Sequence, residues 1–202
     1  MIRCCIKTGD RMERHTFRRY WKYYLHLEQL LMNTFDFVAL AKENFGTYSN
    51  QYASILQLTG AELDAFFKAF FNVKNGNIKI YIRRLVNEYP LLSQQKVDVW
   101  DSNIVLMPFE KCNDVLLNHP IKWWKAFTGI KHDRINNFSQ ANLGNCLQIL
   151  AALYILEFQC IRKIAEIDQS IGIPIPESKL FILESCSSRY QALSDNLVLE
   201  CK

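Results

Sequence analysis

Apolar residues recur along most of this chain at three- and four-residue steps, the spacing of one buried face on an α-helix. Between residues 13 and 45 the stripe is Phe17, Tyr20, Trp21, Tyr24, Leu27, Leu31, Phe35, Val38 and Phe45, and Asn44 with Gly46 supplies a stop. A second stripe, Tyr52, Ile55, Leu56, Leu63, Phe66, Phe67 and Phe70, predicts a helix over 49–71 with Ser49 as its cap. Thr59-Gly60-Ala61-Glu62 inside it is either a capping box that restarts the helix or a passage where Gly60 admits a close neighbour. The stripe keeps its phase across the gap, which favours one continuous helix. A shorter helix near 77–88 buries Ile78, Tyr81, Ile82 and Leu85 and ends before Pro90. Ser139 opens a last long helix, to about Gln169, carrying Leu143, Leu147, Leu150, Tyr154, Phe158 and Ile161. Much of it is apolar all round, so it is expected at the centre.

The period changes around 95–110. Val97-Asp98-Val99-Trp100 alternates, Asp101-Ser102-Asn103 reads as a turn, and Ile104 to Met107 is extended up to Pro108, which predicts a small hairpin or ordered loop. Lys179 to Leu183 is a candidate short strand. The expected fold is all-α: an antiparallel helical bundle with that extended insertion, one domain over 1–183 and a peripheral C-terminal tail over 184–202.

Composition supports this picture. Half of the 202 residues are hydrophobic and only 7 are glycine and 5 proline, so turns are few and elements long. The longest apolar run, Ile149 to Leu156, is far short of the roughly 20 residues of a membrane span. The basic N-terminus is followed by no apolar stretch, so a signal peptide is not expected. Seven cysteines with no Cys-x-x-Cys pair read as reduced thiols, and a cytoplasmic protein without a membrane partner is the expectation. The formal charge of +4 points to no partner by itself.

Candidate chemistry gathers in Trp123-Trp124-Lys125 through Lys131-His132-Asp133-Arg134. An imidazole exchanges protons near neutral pH, and fixed cations hold phosphate oxygens and developing charge, the needs of RNA backbone cleavage. The structural reading gives His132 a place at a helix end, leaves Lys131 and Arg134 solvated and pairs Asp133 locally. Asp64 stands four residues before Lys68, an intrahelical ion-pair spacing. Alternatively Glu62 or Asp64 presents a carboxylate to His132 and holds its tautomer. From Arg11 to Tyr24, basic and aromatic residues interleave, as in nucleic-acid surfaces, although the aromatics fall on the core stripe. His15, His26 and His119 have no regular ligand partners, so neither a metal nor a cofactor is expected.

The order Tyr20-Trp21, Tyr48-Ser49, Tyr52, Glu62-Leu63-Asp64, Lys68, Pro108-Phe109, Trp123-Trp124, Lys131-His132-Asp133-Arg134, Phe138 and Ala141-Asn142 resembles a group of bacterial and phage-type helical proteins. That group in turn resembles the HEPN superfamily, over about residues 20–160 of this chain. The resemblance implies a helical bundle, often dimeric, and either a metal-independent ribonuclease of phage-defence or toxin–antitoxin systems or a non-catalytic binding module. HEPN ribonucleases carry an arginine four to six residues before the histidine. No arginine precedes His132 at that spacing, and Lys125 stands there with six residues between. Arg19 and His26 are also separated by six residues, but Tyr20 follows the arginine and the pair lies in the first helix. His132 is thus the one candidate catalytic position, with Lys131, Arg134 and Lys125 as phosphate-binding candidates and Glu62, Asp64 and Trp124 in support. The partners implied are RNA or a nucleotide, a protein, and a second copy of the chain in a homodimer.

Overall fold

A computed structural model describes residues 14–113, 121–165, 174 and 176–183. The protein is mostly helical, with one small antiparallel sheet. Helix α1 spans Arg14–Met32 and is shorter than the 13–45 predicted from its stripe. The Thr34 hydroxyl donates to the Leu31 carbonyl at 2.7 Å, and the amides of Thr34 and Phe35 bond three residues back, so the chain tightens into turns. Phe35 and Val38 keep the helical spacing but pack half-buried from these turns.

Helix α2, Asn50–Phe71, begins as predicted. Ser49 accepts the Tyr52 amide at 3.1 Å, and the helix ends at Asn72 with a left-handed φ of 49°. It passes unbroken through Gly60. A Cβ there would lie 2.2 Å from the Phe127 ring, so the glycine is a seat for that ring, not a restart. Asn77 accepts the amides of Lys79 and Ile80 to cap α3, Ile78–Glu88.

The extended insertion is a hairpin of β1, Val97–Val99, and β2, Val105–Leu106, with Asp101 at φ 55° in the connection. Residues Phe181–Leu183 form β3 and pair antiparallel with β1, Val97 opposite Leu183 and Val99 opposite Phe181, giving the order β2-β1-β3. The mostly helical fold thus carries the predicted hairpin, and the candidate strand near 179–183 joins it as a third strand. The strands bury Val97, Val99, Leu106, Phe181 and Leu183, and this apolar face is what draws the distant strand in.

Helix α4 spans Lys122–His132, the single turn α5 spans Arg134–Asn137, and α6 spans Leu143–Ala165. The predicted start of α6 at Ser139 is displaced: 138–140 form a 3₁₀ turn, and Asn142 accepts the Asn145 amide at 2.9 Å. The expected end near Gln169 and the tail over 184–202 lie outside the described residues.

Helix α6 is the centre of the core. Every residue from Ile149 to Ile161 is buried, and α1, α2 and α4 all pack on it. By length and composition α6 could cross a membrane, but it is enclosed by the rest of the protein. Cys146 donates to the Tyr52 carbonyl at 3.3 Å near the starts of α6 and α2, and Lys163 lies 4.8 Å over the Phe70 ring near their ends, so the two run side by side in one direction. Trp21 of α1 meets Tyr154 and Phe158, and Tyr20 meets Phe66 edge-on at 5.2 Å. A buried carboxylate, Glu28, fastens the 176–183 segment to α1. It accepts Tyr24 Oη at 2.8 Å, the hydroxyl of Ser178, and the amides of Lys179 at 3.0 Å and Leu180 at 3.2 Å.

Candidate nucleic-acid interface

The amphipathic pattern of α4 sorts its residues cleanly. Trp123, Trp124, Ala126, Phe127 and Ile130 are buried, while Lys122, Lys125, Lys131 and His132 are exposed. Trp123 donates from Nε1 to the Pro108 carbonyl at 2.7 Å and stands edge-on to Phe109. Trp124 packs edge-on against Trp123 and Phe127. Its place is the hydrophobic core, beneath the candidate site.

Helix α4 ends because Asp133 leaves helical geometry and becomes the cap of α5. Its carboxylate accepts the Asn136 amide at 3.3 Å and the Asn136 side chain at 2.7 Å, and its carbonyl accepts Asn137 Nδ2 at 2.8 Å. This corner presents Lys131, His132, Arg134 and Ile135 to solvent, with Ile135 88% exposed. The Lys131 ammonium lies 5.7 Å from the centre of the Phe127 ring, which steadies its stem. Among the described residues, Lys122, Lys125, Lys131 and Arg134 enter no ion pair.

The carboxylates proposed to support His132 are used elsewhere. Asp64 accepts the Tyr81 hydroxyl at 2.9 Å and pairs with Lys68, so it braces α2 against α3. Glu62 faces α1 and α6, where its charge is felt by Tyr20 and Glu157. Among the described residues no group hydrogen-bonds to His132, and Asp133 is committed to its cap. The corner therefore brings His132, Lys131 and Arg134 together, with Lys125 further along the same helix, and leaves out Glu62, Asp64 and Trp124. It can bind phosphate oxygens, but among the described residues it holds no group that fixes a histidine tautomer for proton transfer.

Two buried carboxyls escaped the sequence reading. Glu28 stands four residues after Tyr24 on the buried stripe, a spacing that could have flagged the pair. Glu157 is the one acid in the apolar heart of α6, and among the described residues neither of its oxygens has a partner. Burial first, and then the charge of Glu62, hold its carboxyl well above the usual range. Burial likewise raises Glu62. Tyr20 is raised by its own burial, then by both glutamates. Among the described residues no group of three or more His, Cys, Asp or Glu side chains could hold a metal ion.

Comparison with family models, with curated proteins and with solved structures gave no match to this chain.

Proposed function

We propose that this chain is a HEPN-like helical module that binds RNA or nucleotide phosphates at the α4–α5 corner without cleaving them. The supporting observation is the set of exposed cations, unpaired among the described residues, around a histidine to which no described residue hydrogen-bonds, the neighbouring Asp133 being committed to its cap. Such cations neutralise phosphates and release counterions, whereas cleavage needs a positioned proton acceptor and donor. In the same reading the long helices form one bundle, with α1 running opposite to α2 and α6, and the protein works in the cytoplasm, in a phage-defence or toxin–antitoxin setting. A homodimer fits the exposed Ile135, Tyr48 and Phe37, and light scattering at tens of micromolar, the order at which weak association is visible, tests it.

The experiment on function pairs RNA binding with a chelator-treated cleavage assay. Wild type is expected to bind RNA at low salt and to leave it intact. Lys131→Ala with Arg134→Ala should weaken binding, and His132→Ala should change neither binding nor the thermal melt. Metal-independent cleavage by wild type that His132→Ala abolishes would replace this reading with the alternative, a HEPN-type ribonuclease using His132.

A further inference from the structure

We infer that the outer face of α1 is a separate binding surface for the backbone of a single-stranded nucleic acid. Exposed His15, Arg18, Arg19, Lys22 and His26 fall within about 100° of the circumference of α1, given 3.6 residues per turn. Further along, the same stripe continues into the neutral Gln29 and Asn33. It carries no acid, because the one acid of α1, Glu28, is turned inward onto residues 178–180. Among the described residues Arg18, Arg19 and Lys22 have no ion-pair partner.

Other outer faces differ. On α3, Arg84 is drawn onto the Phe71 carbonyl and Glu88 pairs with Lys163. On α2, the exposed residues Gln51, Ser54, Leu58, Ala61 and Ala65 are neutral. Apart from the α4–α5 corner, α1 therefore carries the longest run of cations without local neutralisation on these helices, and the complement of such a stripe is a polyanion. From His15 to His26 it extends ~16 Å, roughly five nucleotides of one strand.

Two features favour a single strand over an anionic membrane. The apolar side of α1, with Phe17, Trp21, Tyr24, Leu27 and Leu31, is buried in the core and has nothing left to insert into lipid. At the border of the stripe the half-buried Tyr23 ring lies 5.9 Å from the His26 ring, tilted by 32°, and forms a small aromatic ledge on which a base can stack. The surface is also separate from the α4–α5 corner. Helix α1 meets α2 at Phe66 and α4 meets it at Gly60, positions about 120° apart around that helix.

The test is fluorescence anisotropy of a labelled oligouridylate with the full chain, titrated with salt. The triple variant Arg18→Ala, Arg19→Ala, Lys22→Ala is expected to lose about tenfold or more in affinity at low salt. Its log–log salt slope should fall by about 2 relative to wild type, the single-strand value for three phosphate contacts. Arg18→Lys with Arg19→Lys should keep the slope, and Tyr23→Leu should weaken the oligonucleotide while leaving inorganic polyphosphate binding unchanged. Circular dichroism melts identical to wild type show that these surface variants fold. Unchanged affinity and slope in the folded triple variant would overturn the inference. So would equal binding of a duplex, or α1-dependent capture of phosphatidylserine vesicles without capture of the oligonucleotide. If Lys131→Ala with Arg134→Ala alone removes all binding, the α4–α5 reading stands and this one fails; the reverse pattern has the opposite meaning.

Discussion

Glu28 of α1 and Glu157 of α6 are both withdrawn from water, at 2% and 0% exposure, and their surroundings could hardly differ more. Removing a carboxylate from water costs several kcal/mol, a penalty that hydrogen bonds to its oxygens can offset. Glu28 has them: a phenol, a serine hydroxyl and two backbone amides. Among the described residues Glu157 has none, burial holds its carboxyl well above the usual range, and its polar atoms go unsatisfied. One glutamate joins two parts of the chain that are far apart in sequence. The other is a local defect in the best-packed helix, at the junction where Glu62 and Tyr20 approach. Burial by itself therefore says little about what an acidic residue contributes; the donors around it decide.

The largest expected effect separates the pair directly. Glu28→Ala leaves the Tyr24 and Ser178 hydroxyls and the amides of Lys179 and Leu180 without their acceptor. At about 1–3 kcal/mol for each buried group left unpaired, a total loss of 3 kcal/mol or more is expected. Urea unfolding measures it, and a loss below about 1 kcal/mol would show that the clasp is ornamental. Glu157→Leu should move stability the other way at neutral pH, by about 1–3 kcal/mol, because an apolar side chain of similar length removes an unsatisfied acid. A destabilised Glu157→Leu in the same titration would reveal a partner for Glu157 and erase the contrast.

The pH dependence is a smaller and sharper test. The Glu157 carboxyl is raised in the folded state above its ordinary value of 4.5. The folded protein therefore holds this proton more tightly than the unfolded chain does. Its contribution is fully present below pH 4.5 and is lost as the pH rises through the folded value. Thermal melts of wild type should show this decline, and Glu157→Leu should flatten it. The smallest effect is expected from Glu62→Gln. Removing a neighbouring negative charge lowers the folded value of Glu157, so the decline should be completed at lower pH, with a change of a few tenths of a kcal/mol at neutrality. An identical pH profile in Glu62→Gln would mean that the two carboxyls do not interact.

The elements that local chemistry dictates were legible beforehand. Ser49 announces α2, the phase of its stripe carries it through Gly60, and the alternation at 97–100 announces a hairpin. The end of α1 was not, because Phe35 and Val38 keep helical spacing while the Thr34 hydroxyl competes for the Leu31 carbonyl. The start of α6 was misplaced by three residues because Ser139 and Asn142 are both good caps. The contact that holds Asn142 in place comes from Tyr48, which pairs with it as an isolated bridge far away in sequence.

In the candidate interface, the exposure of Lys125, Lys131, His132 and Arg134 followed from the helical period, since a buried stripe at Trp123, Phe127 and Ile130 leaves the other positions to solvent. The fate of the carboxylates did not follow. Asp64 was free in sequence terms to serve His132 or Lys68, and Tyr81 of α3 took its second oxygen. The sequence by itself determined where the main helices lie though not where α1 ends or α6 begins, which of their faces are apolar and where cations gather, because these depend on residues within a turn or two of one another. Tertiary structure alone decided that 181–183 joins 97–99, and that among the described residues Glu28 is satisfied, Glu157 is not, and no carboxylate reaches His132. Each of those depends on groups brought together from distant parts of the chain, and a hydrogen bond that is absent at 4 Å and strong at 2.9 Å is set by packing that no local pattern encodes.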